Sequence, residues 1–251
     1  MKLSVCLDAL FNGKDFVQSM KEVKKIGFNN IEFWSWWDKD LYKIQKAQKE
    51  LDMNIIAFCT KSVSLVDSSQ RQRYKEGIKD SIETAKLLNC TNLITQVGNE
   101  LQNITREQQH KNIVDGIMEC VPMLEQQGIT LLIEPLNTIV DHKGYYLYSS
   151  DEAFKIIKEV NSANVKILYD IYHQQIMEGN IISNISRNID MIGHFHAAGN
   201  PGRHELYVGE INYDNIFKEI DQCGFDGYIG LEYHPLNDTL EGLKHIKQEL
   251  R

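Results

Sequence analysis

Four short apolar runs, each closing on a residue type that binds metals, decide the reading of this chain: TLLIEP at 130–135, VKILYD at 165–170, IGHFH at 192–196 and YIGLEY at 228–233. Brief, nearly continuous apolar runs of this kind suit strands covered on both faces. Longer stretches with helical periodicity separate them, at Ser150–Val160, Ile181–Asn188 and Asn212–Cys223. Such alternation describes repeated βα units around a parallel sheet. Working outward, the same rhythm fills the chain. Strands are expected at Leu3–Leu7, Asn30–Phe33, Ile55–Phe58, Asn92–Gln96, Thr130–Ile133, Val165–Tyr169, Met191–Phe195 and Tyr228–Leu231. The remaining helices are expected at Asp15–Ile26, Leu41–Leu51, Arg71–Leu88, Arg106–Gln127 and Leu240–Leu250. Gly27, Gly128 and Gly224 stand where helices hand over to strands, as a left-handed helix end requires.

Eight such units in 251 residues match the size of a (β/α)8 TIM barrel, about 250 residues. An open dinucleotide-binding sheet would place a glycine-rich loop after the first strand, but here Leu7 is followed by Asp8-Ala9-Leu10-Phe11-Asn12-Gly13. The closed barrel is the prediction. Four prolines and no Gly/Ser/Pro-rich linker leave no internal boundary, so residues 1–251 read as a single domain.

Composition narrows the function. With 42% hydrophobic and 25% charged residues the chain carries too much apolar content for disorder. A formal charge of −8, with no basic stripe to neutralise a phosphate backbone, disfavours nucleic acid as a partner. Cys6, Cys59, Cys90, Cys120 and Cys223 are scattered and form no CxxC pair, which suits reduced core residues of a cytoplasmic protein. The opening MKLSVCLDALFNGKD lacks signal-peptide character, and no apolar stretch is long enough to span a membrane.

In a barrel of this kind, reactive groups sit where strands end, at the C-terminal face. Glu134, Asp170, His196 and Glu232 end the last four strands, 36, 26 and 36 positions apart, and adjacent strands bring them around one point. Three carboxylates crowded in a partly enclosed mouth are costly without a cation. Their mostly oxygen donor set suits one divalent metal, Mg²⁺ or Mn²⁺, with Co²⁺ or Zn²⁺ compatible through the histidine.

On these residues the chain resembles the xylose-isomerase-like barrels, and within them the hydroxypyruvate isomerase family, with ketose 3-epimerases as relatives. The matching segments are LIEPLN, YLYSSDEA at 147–154, LYDIYHQQIMEGN, GHFHAAGNPGRHE, VGEINY at 208–213 and IGLEYHP. The resemblance implies that Glu134, Asp170, His196 and Glu232 hold the metal and that Glu134 and Glu232 double as acid and base. It also implies a small sugar or hydroxycarbonyl substrate and frequent homo-oligomers. Two departures stand out: His196 replaces the Gln of hydroxypyruvate isomerases, and Val140 lies near an acidic position of the epimerases.

Isomerising an α-hydroxycarbonyl compound requires one group to take the proton beside the carbonyl and another to return it elsewhere, which two carboxylates can do through a cis-enediolate. By resemblance His173 binds a substrate oxygen; its structural alternative is to anchor the loop after the sixth strand. Arg203 is the candidate for an anionic or polyhydroxyl end of the substrate, or else part of a loop salt bridge. Glu32 either binds substrate from across the mouth or serves as a structural carboxylate. His194, two residues before His196, is expected one layer deeper as a hydrogen-bonded core histidine. The aromatic run Phe33-Trp34-Ser35-Trp36-Trp37 walls a sugar-sized pocket or forms a subunit contact. Three other functions share this barrel: an endonuclease IV-like metal-dependent phosphodiesterase, a lyase or dehydratase, and a non-catalytic sugar-binding subunit.

Overall fold

Strand residues alternate between the barrel interior and the helical coat in this chain, so most strand positions are buried. The computed structural model describes residues 1–249. Its strands are β1 (Lys2–Cys6), β2 (Asn30–Phe33), β3 (Asn54–Cys59), β4 (Asn92–Thr95), β5 (Thr130–Ile133), β6 (Val165–Asp170), β7 (Ile192–Ala197) and β8 (Tyr228–Leu231). All pair in parallel, in chain order, and β8 returns to β1 to close the barrel. The chain is thus a (β/α)8 TIM barrel.

The helices are α1 (Leu7–Leu10), α2 (Phe16–Ile26), α3 (Leu41–Leu51), α4 (Arg71–Leu88), α5 (Arg106–Met118), α6 (Val121–Gln127), α7 (Ser150–Val160), α8 (Ile171–Met177), α9 (Ile181–Asn188), α10 (Tyr213–Gln222) and α11 (Thr239–Glu249). Side-chain caps fix several starts: Asp15 accepts from the Gln18 N–H at 2.8 Å, Asp40 from Lys43 at 3.1 Å and Asn212 from Asn215 at 3.0 Å. Gly27, Gly128 and Gly224 have φ of 90°, 63° and 73°, the left-handed region in which a Cβ is strained. Under the helical coat, Phe33 stacks on Phe58 at 5.3 Å while Phe16 meets Phe33 edge-on at 5.3 Å. Among the described residues no helix is long and apolar enough to cross a membrane.

Several expected boundaries move. The seventh strand runs two residues past Phe195, to Ala197, carrying His196 inside the sheet. The helix expected at Arg106–Gln127 divides at Glu119–Cys120, because Pro122 lies in the first turn of α6 and supplies no N–H to a continuous ladder. Leu7 opens α1 instead of ending β1, and α8 follows β6 without a loop. The expected helix end at Leu250 lies outside the described residues.

The interior layer beneath the mouth has two halves. Ala57, Ile94, Leu132 and Leu168, from β3 to β6, form an apolar cluster. The other half, from β1, β2, β7 and β8, is polar: Ser4, Glu32, His194 and the side-chain-free Gly230.

Candidate active site

Period-two alternation puts Glu134 above Leu132, Asp170 above Leu168, His196 above His194 and Glu232 above Gly230. All four upper residues are buried. His196 Nδ1 lies 3.2 Å from Glu232 Oε2, 3.4 Å from Glu134 Oε1 and 3.9 Å from Asp170 Oδ2. Each of the four offers one ligand atom within 4.8 Å of the others. His196 Nδ1 is buried with no hydrogen-bond partner. An orphaned nitrogen facing three carboxylates fits a divalent cation, since a buried cluster of acceptors is otherwise unfavourable. Glu134, His196 and Glu232 open on a cavity of about 440 Å³, also lined by Trp34, Trp37, Gln96, His173 and Arg203.

Both glutamates expected to exchange protons are held by hydrogen bonds, Glu134 through one oxygen and Glu232 through both. Gln96 Nε2 donates to Glu134 Oε2 at 3.0 Å, and the Trp34 indole N–H donates to Glu232 Oε1. Trp34 is fixed in turn, because Asp8 Oδ2 accepts its backbone N–H at 2.8 Å and is paired with Lys39 at 3.0 Å. Arg203 donates to Glu232 Oε2, lies 3.9 Å from Asp170 Oδ2 and sits over the Tyr172 ring at 5.4 Å. Burial alone would raise the Glu232 carboxyl, but His196 and Arg203 hold it well below the ordinary carboxylate range. Asp170 goes the other way: burial, reinforced by Glu232, raises it against the pull of Arg203.

Asp170 has two tasks. Its Oδ1 caps α8 by accepting the His173 N–H at 2.9 Å, leaving Oδ2 toward the cluster. His173 is fully buried, and burial, with Arg203 nearby, lowers it to about 3. The neutral ring accepts at Nδ1 from the Asn137 side-chain amide at 2.7 Å and the Asn137 backbone N–H at 3.3 Å. Its hydrogen is therefore on Nε2, which has no hydrogen-bond partner of its own.

Glu32 is not brought to the cavity. It is 1% exposed, under His196, with Oε1 3.1 Å from His196 Nε2, and it does not line the cavity. His194 donates to Glu32 Oε2 at 2.9 Å and is the expected hydrogen-bonded core histidine. Of the aromatic run, Trp34 and Trp37 line the cavity, while Trp36 packs edge-on against Trp37 at 5.9 Å. Sequence reasoning missed the hydrogen-bond roles of Gln96, Trp34 and Asn137. Gln96 had a readable signal: it follows the apolar run NLIT, and the pairing Thr95↔Ile133 puts it level with Glu134.

A closed barrel with this ligand set at its C-terminal mouth defines a class, and the chain belongs to the xylose isomerase-like TIM barrel family, whose model matches residues 20–249. Hydroxypyruvate isomerase of Escherichia coli (strain K12) is 31% identical over 253 residues, covering 97% of each chain. The 2-oxo-tetronate isomerase of Cupriavidus necator is 48% identical over 124 residues, 49% of this chain and 47% of that one. The chain is an isomerase. Among solved structures, a Brucella melitensis protein described as AP endonuclease, family 2, is 27% identical with a TM-score of 0.93, covering 98% of each chain. A 3-keto-D-glucoside 4-epimerase from E. coli shares the fold at 18% identity and a TM-score of 0.84, over 98% of this chain and 100% of that one.

Proposed function

We propose that this isomerase is metal-dependent and acts on a short sugar or hydroxycarbonyl compound by moving a proton through a cis-enediolate. The observation that carries the reading is the ring of Glu134, Asp170 and Glu232 oxygens around the unpaired His196 Nδ1 at the floor of the cavity. These four residues would hold one divalent ion, Mg²⁺ or Mn²⁺, with Co²⁺ or Zn²⁺ also compatible. The chemistry such an ion supplies is polarisation of a carbonyl and stabilisation of negative charge on neighbouring oxygens.

The protein's own groups divide the remaining work. Glu232, kept ionised by His196 and Arg203 against the effect of burial, accepts the proton from the carbon beside the carbonyl. Glu134, steadied by Gln96, supplies the compensating proton, and the roles reverse in the return direction. His173 donates its Nε2–H to a substrate oxygen. Arg203, already charged and held over Tyr172, receives the carboxylate or hydroxyls at the far end. Trp34 and Trp37 cover the carbon skeleton and exclude water. The unpaired thiols of Cys6, Cys59, Cys90, Cys120 and Cys223 support work in the reducing cytoplasm.

The description of the B. melitensis neighbour favours one other reading, a phosphodiesterase. A single imidazole nitrogen among three carboxylates and a formal charge of −8 favour a small substrate over a polyanion. Proton NMR in D₂O separates the two, using Mn²⁺- or Mg²⁺-supplemented enzyme and a panel of hydroxypyruvate, 2-oxo-tetronates, tagatose and fructose. Product and deuterium beside the carbonyl, both abolished by EDTA, are expected. Cleavage of abasic DNA without exchange on any panel member would overturn the proposal.

A further inference from the structure

We infer that Glu32, which never reaches substrate, is the positioning residue that aims His196 at the metal site, and that Gly230 is the space this carboxylate needs. The inference rests on the metal-binding reading of Glu134, Asp170, His196 and Glu232. A histidine ligates through one nitrogen, and the hydrogen bond made by the other decides which one and in what orientation. His196 Nδ1 faces the three carboxylates and Nε2 faces Glu32 Oε1 at 3.1 Å. Both Nε2 and Oε1 are buried with no hydrogen-bond partner, and at 3.1 Å each is the other's nearest means of satisfaction. With the hydrogen on Nε2, the Nδ1 lone pair points where a cation would sit.

Glu32 is itself immobilised. Ser4 Oγ donates to its Oε2 at 3.0 Å and His194 Nε2 donates to the same oxygen at 2.9 Å, which turns Oε1 toward His196. The backbone makes room in two ways. Strand register breaks between Ile31 and Glu32 and again between Ile167 and Leu168, where Gly193 is the extra residue just before His194. Breaks of this kind re-aim the side chains that follow. On β8, a Cβ at Gly230 would lie 2.0 Å from Glu32 Oε1 and 2.7 Å from His196 Cδ2. Any side chain there displaces the pair.

Mn²⁺ binding to full-length Glu32→Gln, Glu32→Asp, Gly230→Ala and unaltered enzyme, read from the electron paramagnetic resonance of free Mn²⁺, tests the assignment. Glu32→Gln and Gly230→Ala are expected to bind Mn²⁺ roughly 10- to 100-fold more weakly, the usual effect of losing a ligand's supporting partner. Glu32→Asp should recover part of the affinity. At saturating Mn²⁺, KM for substrate should stay unchanged in Glu32→Gln, which a substrate-binding role would not allow. Equal Mn²⁺ affinity in Glu32→Gln and unaltered enzyme would overturn the inference while leaving the metal reading standing; no Mn²⁺ binding by the unaltered enzyme would overturn both. Should the variants fail to fold, nitrogen-15 spectra of the unaltered Mg²⁺-loaded enzyme decide. They should show His196 with an exchange-protected Nε2–H, and an Nδ1–H form would refute the assignment.

Discussion

Replacing Asn137 by aspartate tests how His173 is kept in the form proposed to donate to a substrate oxygen. The Asn137 amide cannot flip, because its Oδ1 already accepts the Val140 and Asp141 N–H groups at 2.9 and 3.0 Å. Its Nδ2 must therefore face His173 Nδ1, 2.7 Å away, and Asp141 Oδ2 at 2.6 Å. Aspartate at 137 puts an acceptor where that donor stood and draws the ring hydrogen to Nδ1. Two unit charges about 4 Å apart interact by about 4 kcal/mol at an effective dielectric near 20, worth about three pH units. His173, held at about 3 by burial and Arg203, should rise to roughly 6 in the variant. Below that pH the variant's imidazolium still carries an Nε2–H. Above it the neutral ring presents a bare Nε2 lone pair to substrate, at a cost of about 1–3 kcal/mol or roughly 5- to 150-fold in kcat/KM. The kcat/KM profile of Asn137→Asp should thus fall as pH rises through about 6, where the unaltered enzyme shows no such loss. An unchanged profile from about pH 5 to about pH 8, with the His173 nitrogen-15 shifts unmoved, would refute the reasoning.

Three further outcomes are expected. Glu232→Gln should lower kcat by about 10²- to 10⁴-fold and abolish deuterium uptake from D₂O, while circular dichroism shows the barrel intact; turnover at the full rate would remove Glu232 from the exchanging pair. Addition of Mn²⁺ at about 100 times its Kd to EDTA-treated enzyme should stabilise the fold by about 2.7 kcal/mol, raising Tm by about 5–10 °C; no rise with any divalent ion would contradict the metal site. Glu32 supplies an acid-stability signature, because His196 and His194 outweigh burial and lower it from 4.5 to about 2. A depressed carboxyl stabilises the fold above its unfolded value and loses that contribution as pH falls from about 4.5 toward 2, here about 3 kcal/mol. Urea melts of metal-free enzyme across that window should therefore decline more steeply than those of Glu32→Gln, and parallel curves would count against the pairing.

The barrel was legible because its signal is repetitive: apolar runs of strand length, helical periods between them, and glycines such as Gly27 at the joins. Glu134, Asp170, His196 and Glu232 could be read together for a related reason, since each stands one step past an apolar run and strand order fixes its height. What escaped depends on contacts far apart in sequence. Glu32 follows an apolar residue just as the four clustered residues do, yet the register break after Ile31 and the empty side of Gly230 sink it below the mouth. Nothing local to NIEF reports that. The hydrogen bond from Trp34 to Glu232 spans 198 positions, and the aromatic run reads equally well as a wall or a subunit contact. His196 lies beyond the expected end of its strand because Ala197 and Ala198, of a residue type with little strand preference, gave no sign that the run continues to Ala197. The split in the long helix after β4 turns on one proline, Pro122, which also fits inside a first helical turn.

The cavity's division of labour has a practical meaning for anyone wishing to retune this enzyme. Groups tied into the hydrogen-bonded network around the candidate metal site come from the ends of β4 to β8 and from Trp34, and each is anchored by partners that a library of substitutions would break. Across the opening stand Trp37, Ser62 and Asn99, which line the same space from the loops after β2, β3 and β4. No side-chain hydrogen bond links these three to Glu134, Asp170, His196 or Glu232. Saturation mutagenesis at Trp37, Ser62 and Asn99 is therefore the economical route to a new substrate range: the chemistry stays fixed while the shape of the vessel around it is recast.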